Sequence, residues 1–214
     1  MNSSSDLLER WQRLTARPLT FIGPDSLAEC FSGAVPAGQL EALRNLSRFE
    51  GRLLRLLRER FELSPWAEVP EPDPADLPVL LLSPLAFSRL TRLCGAIWHG
   101  ATLRREIRGE VLGELHQRLG AEVFAQALSL PALAGAADLL RDPAELVAAI
   151  ERDGQTCVAA WLHLQPESLK GWLSLRLDSP RFDQARLSRD IEIVRGAAAL
   201  LSAEEAPDKE SRDE

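Results

Sequence analysis

The sequence predicts an all-α fold, a globular orthogonal bundle of about nine helices, on three observations. Leu and Ala dominate the apolar residues, Ile and Val are sparse and Tyr is absent. Leu and Ala lose little rotamer freedom in a helix, whereas sheets favour β-branched and aromatic side chains. Apolar residues recur at spacings of three and four along most of the chain. Pro, Gly and Ser fall between those stretches, where helices start and stop. The 214 residues, 45% hydrophobic and 27% charged, have a globular composition and suffice for one ordinary domain with a small appendage.

Ser4 or Ser5 caps a first helix with Leu7, Leu8, Trp11 and Leu14 on one side, and Pro18 ends it. Pro24-Asp25-Ser26 opens a brief helix through Phe31, followed by a Gly33–Gly38 connection. The spacing then predicts one long helix over Ala37–Phe61, with Leu40, Leu43, Leu46, Phe49, Leu53, Leu54, Leu57 and Phe61 inward. At about 100° per residue they cover roughly half its circumference. Arg44, Arg48, Arg52 and Arg55 share the opposite side, with Glu41 and Glu59 among them.

Between Ser64 and Pro78 the pattern breaks. Pro65, Pro70, Pro72, Pro74 and Pro78 alternate with Glu68, Glu71, Asp73 and Asp76. Proline removes backbone donors, so neither a helix nor a central strand persists there. The segment reads either as an acidic linker dividing a helical part (1–63) from a main helical domain (79–202), or as a long surface loop of one domain. Ser83-Pro84 is a strong helix start, a capping hydroxyl followed by proline. That helix carries Leu85, Leu90, Leu93, Ile97 and Trp98 and breaks at Gly100. Further helices are predicted over Ala101–Arg108, Glu110–Leu119 and Ala121–Ser129, then from Asp142-Pro143 along Leu146, Ile150, Cys157, Trp161 and Leu164. Pro166-Glu167 starts another through Trp172 to Leu177, and the last runs from Asp183 to Leu201. Residues 203–214 read as a disordered acidic tail.

The residue inventory argues against most chemistry. A net charge of -7 gives no long-range attraction to phosphate, which disfavours nucleic acid and anionic membranes. Met1–Arg10 lacks a basic region followed by an apolar run, so no signal peptide is expected. No apolar run approaches the about 18 residues of a membrane span. There is no nucleophile elbow, phosphate loop or His-Glu-x-x-His motif, so no catalytic site and no cofactor are expected. Cys94 and His99, with Cys157 and His163, could supply four zinc ligands. Their spacings of five and six suit a shared helix face poorly, and buried Cys is ordinarily a small hydrophobe. His99, at a helix end, reads as a capping or packing residue. The Arg44–Arg55 side reads as a solvated face or as a dock for an acidic protein surface. Trp98, Trp161 and Trp172 read as core, and Trp66, in the Pro-rich segment, as an interface anchor or a side chain folded back onto the domain.

Two segments carry a family pattern. One is Leu90-Thr91-Arg92-Leu93-Cys94-Gly95-Ala96-Ile97-Trp98-His99-Gly100, followed by Leu103-Arg104-Arg105. The other is Ala160-Trp161-Leu162 and, past a proline, Trp172-Leu173-Ser174-Leu175-Arg176-Leu177. The pattern resembles the SctK family of bacterial type III secretion systems, whose members include YscK, MxiK and OrgA, and it is nearest the YscK-like branch. The resemblance spans about Phe61 to Pro180. It implies a helical, non-enzymatic cytoplasmic adaptor beneath the inner-membrane ring of the injectisome. Such an adaptor joins the cytoplasmic domain of the ring protein SctD to the pod protein SctQ, and through the pods to SctL and the ATPase SctN. A monomer is expected in isolation. The alternative is a helical export chaperone or regulator binding secreted cargo or nucleic acid.

Overall fold

In a computed structural model of the chain, residues 3–22, 24–135, 142–176 and 187–205 are described, and among them every regular element is helical. The chain divides into two compact units, Met1–Leu77 with Leu164–Ser179, and Pro78–His163 with Pro180–Glu214. The predicted helices over 183–186, Leu177 and most of the acidic tail lie outside the described residues. The last helix continues through Glu205, past the predicted tail start at 203.

The first unit holds α1 (Ser3–Thr15), α2 (Pro24–Cys30), α3 (Ala37–Arg44) and α4 (Ser47–Phe61). The single helix predicted over Ala37–Phe61 is therefore two. Asn45 closes α3, its N–H bonded back to the Glu41 carbonyl, and Leu46 is extended at the start of α4. Asn and Ser flank that extended residue, and their short polar side chains compete with helical backbone bonds. Leu46, predicted inward, is consequently 42% exposed. Glu62, in the left-handed region at φ 54°, terminates α4, and the next N–H, of Leu63, bonds to the Arg58 carbonyl.

The Pro-rich segment stays with this unit. Its Trp66–Glu68 turn is a 3-10 helix, and Asp76 is buried with its carboxylate 3.2 Å from the Gln165 amide. A helix from far down the sequence, which precedes only the last helix, also belongs here. It spans Glu167–Ser174 and buries Leu169, Trp172 and Leu173 completely. Trp11, Phe21, Leu27, Leu40, Leu53 and Leu57 complete the core.

In the second unit a one-turn α5 (Leu77–Leu80) leads to α6 (Pro84–Trp98), the central element. The Ser83 hydroxyl accepts from the Ala86 N–H at 3.1 Å, the predicted cap with Pro84 in the first turn. Eight residues of α6 are buried. Around it lie α7 (Gly100–Arg105), α8 (Gly109–Leu119), α9 (Ala121–Ser129), α10 (Pro143–Leu164) and, after the Glu167–Ser174 helix that becomes α11, α12 (Leu187–Glu205). Among the described residues there are thus 12 α-helices, against about nine predicted. The excess includes the break at Asn45, which makes two helices of one, and the one-turn α5, too short for periodicity to register. No helix among the described residues is long and apolar enough to cross a membrane.

Candidate functional site

The first family segment lies on α6 and α7, and its residues are built into the interior of the second unit. α6 crosses α10 where two glycines meet. A Cβ on Gly95 would stand 1.8 Å from the Ile150 carbonyl oxygen, and one on Gly154 would stand 2.0 Å from the Thr91 carbonyl oxygen. Only glycine permits that approach. One turn further on, His99 closes α6, 1% exposed, with Nε2 2.8 Å from the Asp153 carboxylate on α10. His99, read from the sequence as a capping or packing residue, is buried, and Asp153 is the partner that sequence spacing did not reveal. The Trp98 carbonyl accepts from the Gly135 N–H at 2.8 Å, and a Cβ on Gly135 would meet the Trp98 ring at 2.9 Å. Gly100 opens α7 and does not simply break α6. Of the paired arginines, Arg104 donates to the Leu128 carbonyl at 3.2 Å and Arg105 is exposed.

The second family segment divides between the units. Trp161, on α10, is fully buried in the second. Trp172, on α11, is fully buried in the first, its Nε1–H donating to the Ser64 carbonyl at 3.1 Å. The Trp66 ring lies edge-on to Trp172 at 5.1 Å and contacts Phe21 at 5.3 Å and Trp11 at 6.2 Å. Trp66 is therefore folded back into an aromatic cluster, because the short 3-10 turn at Trp66–Glu68 returns it there. The Leu175 carbonyl accepts from the Ser26 hydroxyl at 3.1 Å, and the Arg176 guanidinium covers the Phe21 ring at 4.6 Å. Leu177 lies outside the described residues.

The four-arginine face is reduced to three. Arg44, cut off from α4 by the break at Asn45, donates to the Ile22 carbonyl and to Glu41, each at 3.1 Å. Arg48, Arg52 and Arg55 are exposed along α4. Arg48 lies 4.8 Å over the Phe49 ring and Arg55 reaches Glu59 at 4.0 Å, a wide exposed pair that contributes little.

The zinc hypothesis finds no geometry. Among the described residues no group of three or more His, Cys, Asp or Glu is placed to hold a metal. Cys94 and Cys157 are fully buried, whereas His163 is exposed. The Cys157 thiol donates to the buried Asp190 carboxylate of α12 at 3.4 Å. Burial, with Asp190 nearby, pushes the Cys94 thiol far above its ordinary range. Sequence reasoning missed Asp190 altogether. Only burial identifies it, since in the sequence Asp190 stands among the other charged residues Arg189, Glu192 and Arg195 of α12 and carries no spacing signal.

Comparison with known proteins gives a partial relationship. The chain is 36% identical over 89 residues to "Nodulation protein NolU" of Rhizobium fredii, and equally to that of Sinorhizobium fredii (strain NBRC 101917 / NGR234). In both cases the match covers 42% of this chain and 42% of the relative. No family model and no solved structure matches.

Proposed function

We propose that the chain is a non-enzymatic adaptor of a bacterial type III secretion system, similar to SctK, joining the cytoplasmic domain of SctD to the pod protein SctQ at the cytoplasmic face of the inner membrane. The observation that carries this reading is the place of the family-pattern residues. Gly95, His99 and Trp98 shape one interior, and Trp172, Leu173 and Arg176 another. A pattern made of packing residues suits a protein whose work is to hold others. The partial identity to the nodulation protein NolU, over 89 residues, supports the same setting. The Arg48, Arg52 and Arg55 side of α4 is a candidate dock for an acidic partner surface, since guanidinium pairs bidentately with carboxylate.

The test is co-purification of the full chain with SctD cytoplasmic domain and with SctQ at near-physiological salt. The adaptor reading requires both complexes, and binding to neither sinks it. Reversing Arg48, Arg52 and Arg55 to Glu should weaken one complex. If both persist unchanged, the α4 face is not a docking surface.

A further inference from the structure

Among the described residues Ile107 is the most exposed of the large hydrophobic side chains, at 87%. It sits on the short link between α7 and α8, and that link is held shut. The Glu106 carboxylate accepts from the Arg108 backbone N–H at 2.9 Å, from its Nε at 2.8 Å and from its Nη2 at 2.5 Å. The tie runs across Ile107 from the residue before it to the residue after it, so the link cannot fold inward without breaking three bonds. Arg108 holds the Glu106 carboxyl down to about 2, which keeps the tie charged at any physiological pH. The flanks are anchored as well. Thr102 and Leu103 of α7 are buried, and Arg104 bonds to the Leu128 carbonyl.

An aliphatic side chain held out in water by a charged clamp has its ordering entropy met before any partner arrives. Its surroundings state the partner's charge. Arg104 and Arg105 are exposed beside it, while the charge of Arg108 is offset by Glu106. Glu106 is occupied with Arg108, leaving Glu110 as the nearest other acid in the sequence. A lipid surface fits less well: one side chain is a weak anchor, and the chain's net charge of -7 is repelled by anionic headgroups.

We infer that Ile107 is a preformed anchor that enters an apolar pocket rimmed by carboxylates on a protein partner. The inference rests on the adaptor reading and names a surface for it on the second unit. The test measures binding of the full-length chain, wild type, Ile107→Asp and Arg105→Glu, to SctD cytoplasmic domain and to SctQ. Ile107→Asp should weaken one of the two complexes at least about tenfold, and Arg105→Glu should weaken the same complex and flatten its salt dependence. The thermal midpoint should not move, since both side chains are exposed. Wild-type affinity of Ile107→Asp for both partners overturns this inference alone and leaves the adaptor standing. Failure of the wild type to bind either overturns both. Sedimentation with phosphatidylserine-containing vesicles that Ile107→Asp abolishes would also overturn it, replacing the protein pocket with a membrane.

Discussion

Replacing Gly95 by Ala tests the close crossing of α6 and α10 directly. The added methyl would stand 1.8 Å from the Ile150 carbonyl oxygen, whereas ordinary contact begins at 3.4 Å. The obstacle is backbone, so no rotamer change relieves it and the two helices must part. Overpacking of a tight core costs about 1–3 kcal/mol, occasionally more, and a backbone obstacle belongs at the top of that range. Alanine's better helix propensity returns about 1 kcal/mol. The net loss is then about 2 kcal/mol or more, which lowers the thermal midpoint by about 4–8 °C in a chain of this size. Gly154→Ala, whose methyl would meet the Thr91 carbonyl oxygen at 2.0 Å, should cost about as much. The double variant should cost less than the two together, because the helices part only once. Gly51→Ala is the control. Gly51 lies inside α4 with nothing within 4 Å of its would-be Cβ, and the change should stabilise by about 0.5–1 kcal/mol. Circular dichroism melts of the four variants give the answer. A midpoint for Gly95→Ala at or above wild type, with Gly51→Ala raised as expected, would refute the crossing.

Two other predictions concern ionisable groups. With Cys94 and Cys157 buried and Cys30 only partly covered, the native protein should release one equivalent of thionitrobenzoate at pH 8, and three after denaturation. Cys30→Ser should abolish the native signal, and fast labelling of Cys94 in native protein would contradict its burial. Glu106 has a folded-state pKa lowered to about 2 by Arg108, so its clamp is present above the ordinary carboxyl value of 4.5 and is lost as pH falls through about 2. In Arg108→Ala, a carboxyl titration followed by NMR should find Glu106 raised toward the ordinary value but still below it, because the backbone N–H of residue 108 continues to donate to the carboxylate. An unchanged titration would mean that Arg108 is not its cause.

Helix starts were legible because their chemistry is local. Ser83-Pro84 needs only a hydroxyl and a ring to cap and open α6, and Ala121–Ser129 was bounded by residues that sit at its own ends. What was not legible depends on distant partners. The apolar period runs unbroken through Asn45-Leu46-Ser47, so nothing in it forecast the end of α3 or the turning of Arg44 toward Ile22. Leu85 fits the apolar stripe of α6, yet it is 74% exposed, at the very start of the helix. Trp66 and Asp76, in a segment whose prolines break any long helix, are held by Trp172 and Gln165, more than eighty residues away. The family segments were visible as strings, but the reason for Gly95 lies in its opposite number Gly154, which only the fold brings to it.

That dependence bears on how the chain can be cut. The proline-rich break invites expression of residues 79–202 as a free-standing domain. The fragment would keep α11 and discard everything α11 packs on within the first unit, since Leu164–Ser179 clusters with Met1–Leu77. Trp172, Leu169 and Leu173, each fully buried in the intact chain, would be stranded in water, and Trp172 would lose its bond to the Ser64 carbonyl. Burying an apolar side chain of that size is worth about 1.5–3 kcal/mol, so three of them exposed together make a patch that binds other copies. The 79–202 fragment should therefore self-associate on size-exclusion chromatography and bind a hydrophobic dye. Changing Leu169, Trp172 and Leu173 to polar residues should relieve both effects in the fragment, and in the intact chain the same changes should unfold the first unit. A 79–202 fragment that is monomeric, dye-silent and as protected from proteolysis over Glu167–Ser174 as the full chain would show that α11 does not depend on the N-terminal residues.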